Sequence, residues 1–387
     1  MPAAAPPLRL VHVITSLKLG GAQMHLYRTV SRFNPEKIAS VVISLASGGK
    51  ISRLLRDAGI PVYEVGLQPG RPNPLALLRL TSLIKGLRPH LVQTYLYHAD
   101  LLGFLAARAA GVPGVWWNLR QSTMDFSRYR ATTAWAVRLC ARLSRRVDRI
   151  LVNSHAGRQA HVLLGYDPAR MLVVPNGFDL GRFRPQPASY QEVRQELRLP
   201  AGARLVGMLA RFDPQKDHWN FLAAAALLQE RHPDAYFLLA GAGISLDNPA
   251  FAGLVAQAAV NPRRLRILGE RRDAPRLLAA LDVYVSSSAF GEGIPNAVGE
   301  AMACGVPCVV TEVGDSAYLV GETGLVVPPR RPQDLCRALD KVLTWPAAVR
   351  AGRGAAARAR VQERFEIHQT TRRLESLYLE LVEKKAA

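Results

Sequence analysis

The chain has 387 residues, 49% of them hydrophobic, and its length allows two globular domains with separate cores. No apolar run approaches the roughly 18 to 20 residues that span a bilayer, and the apolar content excludes a disordered chain. The formal charge is +20, of which +15 falls on residues 1–180, so the first half is expected to meet something anionic: phosphates, a membrane surface or nucleic acid.

In chain order, short apolar runs alternate with segments able to form helices. Strands are predicted at 8–15, 38–45, 62–67, 91–96, 115–120, 149–154 and 171–176. Residues 131–150, ATTAWAVRLCARLSRRVDRI, read as one amphipathic helix with Trp135, Leu139, Leu143, Val147 and Ile150 on one stripe and Arg138, Arg142, Arg145 and Arg149 on another. A Pro-rich polar stretch then marks a domain boundary. The alternation restarts at 204–211 and runs through 235–241, 265–270, 283–288, 307–312 and 324–329. Such alternation means parallel strands with crossover helices, hence two doubly wound α/β domains with ligands at the carboxyl ends of the strands. The domains are placed at 1–178 and 203–362, with 179–202 as a linker and 363–387 as a C-terminal helix.

The stretch FGEGIPNAVGEAMACGVPCVVTE (290–312) carries the chemistry. Pro295 suits a first helical position because it has no amide to orphan there, so a helix is predicted from about Ile294. The amides of Ile294, Asn296 and Ala297, with the helix dipole, make an anion site, and Gly291 and Gly293 let backbone approach a ligand closely. A carboxylate close to a bound phosphate would repel it, so Glu292 and Glu300 are read as acceptors for hydroxyls flanking it. Eight residues of helix would set them about 12 Å apart, the layout of a sugar, a diphosphate and a ribose. Arg211 and Lys216, in LARFDPQKDHWNF (209–221), supply cations where a strand of the second domain ends.

These residues resemble glycosyltransferase family 4: the acid-x7-acid pair Glu292 and Glu300, ARFDPQKDH, the GG loop at Gly20 and Gly21, VNSHAG (152–157), VVPNGFD (173–179) and ILGERRD (267–273) stand in family order over nearly the whole chain. The resemblance implies the GT-B fold, two Rossmann-like domains facing across a cleft with the C-terminal helix returning to the N-terminal domain. It implies transfer of a sugar, with retention, from a nucleotide-diphosphate donor to an acceptor hydroxyl, UDP being the commoner nucleotide in the family. Glu292 would hold donor-sugar hydroxyls, the backbone from Gly293 through Ile294, Pro295 and Asn296 to Ala297 the distal phosphate and sugar, Glu300 the ribose, and Arg211 with Lys216 the diphosphate. Backbone around Leu268 would meet the base. His98 stands where many relatives place a histidine near the transferred sugar. Gly20 and Gly21 follow the first strand and could bring amides against phosphates or acceptor. No general base is legible. Relatives are thought to let the leaving phosphate oxygen take the acceptor proton, so positioning and charge would carry catalysis. The chain has no Asp-x-Asp, and metal independence without a cofactor is expected.

On the acceptor side, Arg120 and Arg128 in WWNLRQSTMDFSRYR (116–130) are candidates for anionic groups, with Trp116 and Trp117 for sugar stacking. The Arg stripe points to peripheral contact with anionic lipid and to a glycan or lipid-linked acceptor in polysaccharide or glycoconjugate synthesis. The opening MPAAAPPLRL lacks the pattern of a signal peptide, so a cytoplasmic protein is expected, with peripheral contact at the inner face of the membrane. Cys140, Cys304, Cys308 and Cys336 form no CxxC pair, and buried thiols are expected. The rival readings are a nucleotide-sugar epimerase, a sugar phosphorylase and a nucleic-acid-binding protein; the last lacks a recognition module or interleaved exposed aromatics. Glu292→Ala and Lys216→Ala are each expected to abolish most turnover while leaving the melting temperature nearly intact.

Overall fold

The computed structural model describes residues 6–68, 74–122 and 131–386, which fall into two units: Met1–Asn176 with Ile367–Ala387, and Gly177–Glu366. The first holds β1 (Leu8–Ile14), β2 (Ile38–Ser44), β3 (Val62–Glu64), β4 (Leu91–Tyr95), β5 (Gly114–Leu119), β6 (Arg149–Val152) and β7 (Met171–Val173). They form one parallel sheet ordered β3-β2-β1-β4-β5-β6-β7. Parallel pairing needs crossovers, which α1 (Gly21–Val30), α2 (Lys50–Asp57), α3 (Pro74–Leu87), α4 (Tyr97–Ala109), α5 (Ala131–Leu143) and α6 (His155–Leu163) supply.

Both sheet faces are covered, which is why the strands read as continuous apolar runs. Val11, Val13, Val115 and Trp117 pack with α3, α4 and α5. Their strand neighbours Leu10, Ile14, Tyr95 and Trp116 pack against α1 and α2. The alternation is the period of two that a pleated strand imposes.

The second unit repeats the plan. Strands β8 (Arg204–Leu209), β9 (Ala235–Ala240), β10 (Leu265–Ile267), β11 (Val283–Ser286), β12 (Cys308–Thr311) and β13 (Leu325–Val327) form a parallel sheet ordered β10-β9-β8-β11-β12-β13. Helices α7 (Pro187–Glu196), α8 (His218–Arg231), α9 (Pro249–Gln257), α10 (Ala274–Ala279), α11 (Asn296–Ala303), α12 (Ser316–Val320), α13 (Pro332–Thr344) and α14 (Ala347–Arg364) surround it. In each sheet the order reverses beside the first strand, between β1 and β4 and between β8 and β11, and such a switch point opens a crevice outside the strands' carboxyl ends.

The last helix, α15 (Ile367–Ala386), belongs to the first unit. Tyr378 Oη donates to Gln93 Oε1 at 2.5 Å, Gln93 Nε2 donates to Tyr95 Oη at 2.9 Å, and Tyr95 Oη lies 3.3 Å from His12 Nδ1. Burial pulls the His12 pKa down to about 3, so the ring is neutral and can accept that hydroxyl proton.

Two expectations differ from these elements. Residues 131–150 are not one helix: α5 ends at Leu143, Ser144–Arg146 make a 3-10 turn, and Arg149 opens β6. Ile150 pairs with Trp117 in the ladder, so its place on a helical stripe was a coincidence of period. The stretch 179–202 is no free linker. It contains α7, whose Val193 is buried and whose Arg194 binds Asp282 at 2.5 Å, and it belongs to the second unit. All four cysteines are buried and free.

One carboxyl among the described residues of the first unit is fully buried. Asp100, fully buried in the first turn of α4, accepts a 2.5 Å bond from Thr94 Oγ1, and its Oδ2 has no partner. Burial pushes its pKa up to about 7. A raised carboxyl pKa favours folding below the unfolded value, near pH 4, and that contribution is lost as pH rises through 7. Asp100→Asn is therefore expected to raise the melting temperature at pH 8, with the gain shrinking as pH falls from 7 and vanishing only near pH 4. The ceiling is about 4 kcal/mol. Thermal unfolding of both proteins across pH 5 to 8 checks this, and a gain that grows as pH falls would contradict it.

Candidate active site

In the second unit the chain leaves β8 at Leu209 and β11 at Ser286, adjacent strands at the switch point, so the two following loops lie side by side. Backbone and side-chain bonds join them. The Ala289 amide donates to the Gln215 carbonyl at 2.9 Å, and Gln215 Nε2 donates to the Gly291 carbonyl at 3.0 Å. Ser287 Oγ donates to the Lys216 carbonyl at 2.9 Å. The clamp brings Lys216 Nζ to 2.5 Å from Glu292 Oε1, which also accepts from Ser288 Oγ at 2.6 Å. The Lys216 and Glu292 side chains are only 19% and 7% exposed, so this pair is poorly screened by water.

Arg211 is more open. Its guanidinium meets Asp213 Oδ2 at 3.1 Å and Gln215 Oε1 at 3.4 Å. Burial raises the Asp213 pKa, but the Gln215 amide and Arg211 outweigh it and hold the carboxyl below its ordinary value. Asp213 thus stays ionised and fixes the arginine beside the loop that carries Lys216.

The far side of the Glu292 loop is held by backbone. The Asp315 amide donates to the Gly293 carbonyl at 2.9 Å, and Thr311 Oγ1 donates to the Ser288 carbonyl at 2.6 Å. Gly314, with φ +60°, passes so close that a Cβ there would sit 2.0 Å from the Glu292 carbonyl oxygen. Helix α11 is seated from below by Phe178, whose ring occupies the space a Cβ at Gly299 would need.

The helix start differs from expectation. Ile294 is buried and outside the helix, Pro295 (φ −72°, ψ 113°) is the extended cap residue, and α11 begins at Asn296. Its tip is the Asn296 and Ala297 turn, and Gly293 and Ile294 belong to the preceding loop. Glu292 is not on the helix either. Glu300, half-buried in the second turn, lies about 6 Å along the axis from Asn296 at 1.5 Å per residue, so the expected 12 Å of helix between the acids does not exist. Both acids share one neighbourhood: Tyr284, whose hydroxyl donates to the Leu209 carbonyl at 3.3 Å, has its pKa pushed up by burial first and by Glu292 and Glu300 among the neighbouring charges. Leu268 follows β10, and its amide is already bonded to the Leu239 carbonyl at 3.0 Å.

In the first unit the candidates gather at the carboxyl edge of the sheet. Gly20 caps α1 in an extended conformation and Gly21 begins it, with open space where a Cβ would stand at Gly21. His98 lies just past β4, in the first turn of α4, after Leu96, whose φ of 73° is unusual for a bulky residue. Burial lowers the His98 pKa, favouring the neutral ring. Arg120 follows β5 and donates to Asn176 Oδ1, and burial pulls its pKa down to about 10. Arg128 lies outside the described residues. Trp116 and Trp117 are wholly buried on opposite sheet faces, so neither can stack on a sugar.

Four residues escaped the sequence reading. His25, in α1, has its pKa driven well down by burial and then by Arg120 and Arg28. Gln215, Ser288 and Gly314 act by holding the Glu292 loop, through partners as far as 76 positions away for Gln215. The SSS run at the end of β11 was the one local signal.

Two doubly wound parallel sheets in one chain, with the last helix returned to the first, make this a GT-B protein. Family models match in succession: Glycosyltransferase Family 4 over residues 19–182 and Glycosyl transferases group 1 over residues 203–344. The chain belongs to glycosyltransferase family 4. It is similar to a UDP-Gal:alpha-D-GlcNAc-diphosphoundecaprenol alpha-1,3-galactosyltransferase of Escherichia coli, 30% identical over 63% of each chain. It is also similar to a D-inositol 3-phosphate glycosyltransferase of Rhodococcus erythropolis, 33% identical over 51% of this chain. The matches span 63% and 46% of those relatives' lengths. Among solved structures, Anabaena HepE in complex with UDP superposes with a TM-score of 0.84 at 22% identity, over 96% of this chain and all of HepE. Sucrose-phosphate synthase from Thermosynechococcus elongatus gives 0.77 at 20% identity, over 96% of this chain and 99% of its own.

Proposed function

We propose that the protein is a retaining glycosyltransferase that moves a sugar from a nucleotide-diphosphate donor, a UDP-sugar, to a hydroxyl of a lipid-linked glycan. The observation that carries this reading is the clamped Lys216, Glu292 and Ser288 cluster at the β8/β11 switch point, beside the start of α11. In the reaction the bond from the anomeric carbon to the diphosphate oxygen breaks, the bond to the acceptor oxygen forms, and the acceptor proton passes to the leaving phosphate oxygen. Lys216 and Arg211 stabilise the charge growing on the diphosphate, and the Asn296 and Ala297 amides add the positive end of a helix dipole. Glu292 and Glu300 accept from sugar and ribose hydroxyls, and Leu268 borders the base. Positive charge thus comes from the protein, without a metal. The UDP preference is supported by HepE, solved with UDP and with UDP-glucose, and the acceptor class by the diphosphoundecaprenol named for the E. coli relative. Such an acceptor is presented at a bilayer, so membrane contact belongs to the same reading. Its anionic diphosphate would suit Arg120, with His98, Gly20 and Gly21 lining the path of the acceptor.

A thermal-shift series with UDP-, GDP- and ADP-sugars tests the donor. A UDP-sugar at 100 times its dissociation constant is expected to add about 2.7 kcal/mol to the stability of the native state. UDP release should then require a lipid-linked acceptor and persist in EDTA. Sugar phosphate as product would mark a phosphorylase, acceptor-independent turnover an epimerase or hydrolase, and no stabilisation by any nucleotide sugar would overturn the reading.

A further inference from the structure

The motif VVPNGFD (173–179) leaves β7 at Val173 and delivers one aromatic residue into the second unit. Phe178 is wholly buried. Its amide donates to the Phe365 carbonyl at 2.7 Å, and its ring meets that of Phe365 edge-on, with 6.5 Å between centroids. Tyr318 of α12 makes a second edge-on contact with Phe365, at 5.8 Å. A ring enclosed in this way has no open space into which to swing.

The ring fills the place of a side chain that α11 lacks. A Cβ at Gly299 would overlap the Cζ and both Cε atoms of Phe178. The helix, NAVGEAMA, is only eight residues long, and its larger apolar side chains, Val298 and Met302, lie in the same core as Phe178. Its other end is fixed just as closely. A Cβ at Gly354 of α14 would overlap the Gly305 carbonyl oxygen, and Arg358 of α14 donates to the Ala303 carbonyl in the last turn of α11 and to the Phe183 carbonyl at 3.1 Å. Helix α11 therefore rests on the 178–183 segment and against α14, with no slack to absorb an added atom beneath Gly299. Glu300, half-buried, is the next residue.

We infer that Phe178 is a positioning residue for Glu300: the ring beneath Gly299 sets the height of the helical turn that carries the carboxylate. The inference rests on the proposed contact of Glu300 with the donor's ribose, but its own support is steric. Gly299 and Glu300 are consecutive, so a shift of the helix at the first carries the second with it. A hydroxyl bonded to a carboxylate keeps a narrow range of distance, about 2.5–2.7 Å, and such a shift takes the acceptor out of it. A leucine side chain ends at Cδ, one bond short of the phenyl atoms that a Cβ at Gly299 would meet. Gly299 and Phe178 are thus a matched pair. Alone, Gly299→Ala pushes α11 off its seat and Phe178→Leu leaves a void under it, whereas together they offset each other.

The test is calorimetric titration of the full chain with UDP and with its dideoxyribose analogue, which lacks both ribose hydroxyls. A hydrogen bond to a charged group is worth roughly tenfold or more in affinity, so the native protein is expected to prefer UDP by at least that factor. Gly299→Ala should lose most of this preference, with affinity for the dideoxy analogue falling less. Phe178→Leu should lose part of it, and the double variant should prefer UDP more strongly than either single variant. Equal losses for the two nucleotides in Gly299→Ala, or a double variant no better than the poorer single one, would overturn the inference. Should Gly299→Ala alone fail to fold, the double variant against Phe178→Leu decides, because the added methyl must restore the preference. Glu300→Ala separates the inference from the reading beneath it. If it abolishes the preference while Gly299→Ala keeps it, Phe178 is a core residue only and the ribose contact stands. A native protein that binds neither nucleotide, or both equally, or a Glu300→Ala protein that keeps the preference, overturns the ribose contact and the role of Phe178 with it.

Discussion

Lys216→Ala is expected to cost more stability than Glu292→Ala, although each removes at least about a hundredfold of turnover, the scale seen when one preorganised electrostatic contact is lost. Read from sequence, the two were independent contacts to a ligand, and neither was expected to matter for folding. The 2.5 Å approach of Lys216 Nζ to Glu292 Oε1 changes that. Removing one partner of a buried ion pair strands the other, at 3–5 kcal/mol when the survivor is fully buried. After Lys216→Ala the survivor is Glu292, 7% exposed, with Ser288 still donating to it. After Glu292→Ala it is Lys216, 19% exposed and better able to reach water on its flexible stem. Discounting for that exposure and for Ser288 leaves about 2 kcal/mol for the first change and about 1 kcal/mol for the second. The double variant, which strands no charge, should be more stable than Lys216→Ala alone, a coupling that a thermodynamic cycle isolates. Thermal unfolding and donor turnover on the three variants make the check. A Lys216→Ala protein that melts with the native one and keeps its turnover would mean that the pair is neither structural nor catalytic.

Much of the fold was legible because buried parallel strands announce themselves. Runs such as LRLVHVIT and AYFLLAG have no polar face to show, and only a sheet covered on both sides buries them. The candidate site was legible in outline for a related reason. Ligand residues of a doubly wound sheet are expected after strand ends, and the proposed pair Lys216 and Glu292 both stand there. What could not be read locally was set by contacts across the chain. Pro295 is extended because the loop before it is held by Gln215 on one side and Gly314 on the other, so the helix waits until Asn296. Val147 and Ile150 continue the periodicity of α5, yet Ile150 lies in the ladder beside β5. Tyr378 meets Gln93 across 285 positions. His25 and Arg120 likewise acquire their shared electrostatics only when α1 and the end of β5 come together, and no spacing in the sequence encodes that.

Adding one methyl group at residue 314 should disable the protein more thoroughly than its size implies. Gly314 has φ +60°, and a Cβ there would lie 2.0 Å from the Glu292 carbonyl oxygen and 2.9 Å from that of Gly293. The obstacles are backbone atoms, so no rotamer change relieves them. Gly314→Ala must therefore push the Glu292–Gly293 peptide away or break the 2.9 Å bond from the Asp315 amide to the Gly293 carbonyl. The left-handed backbone alone costs about 1 kcal/mol for alanine, and the displaced contacts bring the loss to about 2–3 kcal/mol. The functional effect is larger in proportion. A displacement of 1 Å in a positioning group can cost about a hundredfold in rate, and Glu292 moves with its own carbonyl. The same substitution at Gly352, exposed within α14 with open space around its missing Cβ, should instead add about 0.5–1 kcal/mol through helix propensity. Opposite signs at the two positions, with turnover lost only at the first, would tie the loss to the Glu292 loop. Equal and small effects would show that the loop tolerates movement, and that the close approach of Gly314 does not fix the carboxylate.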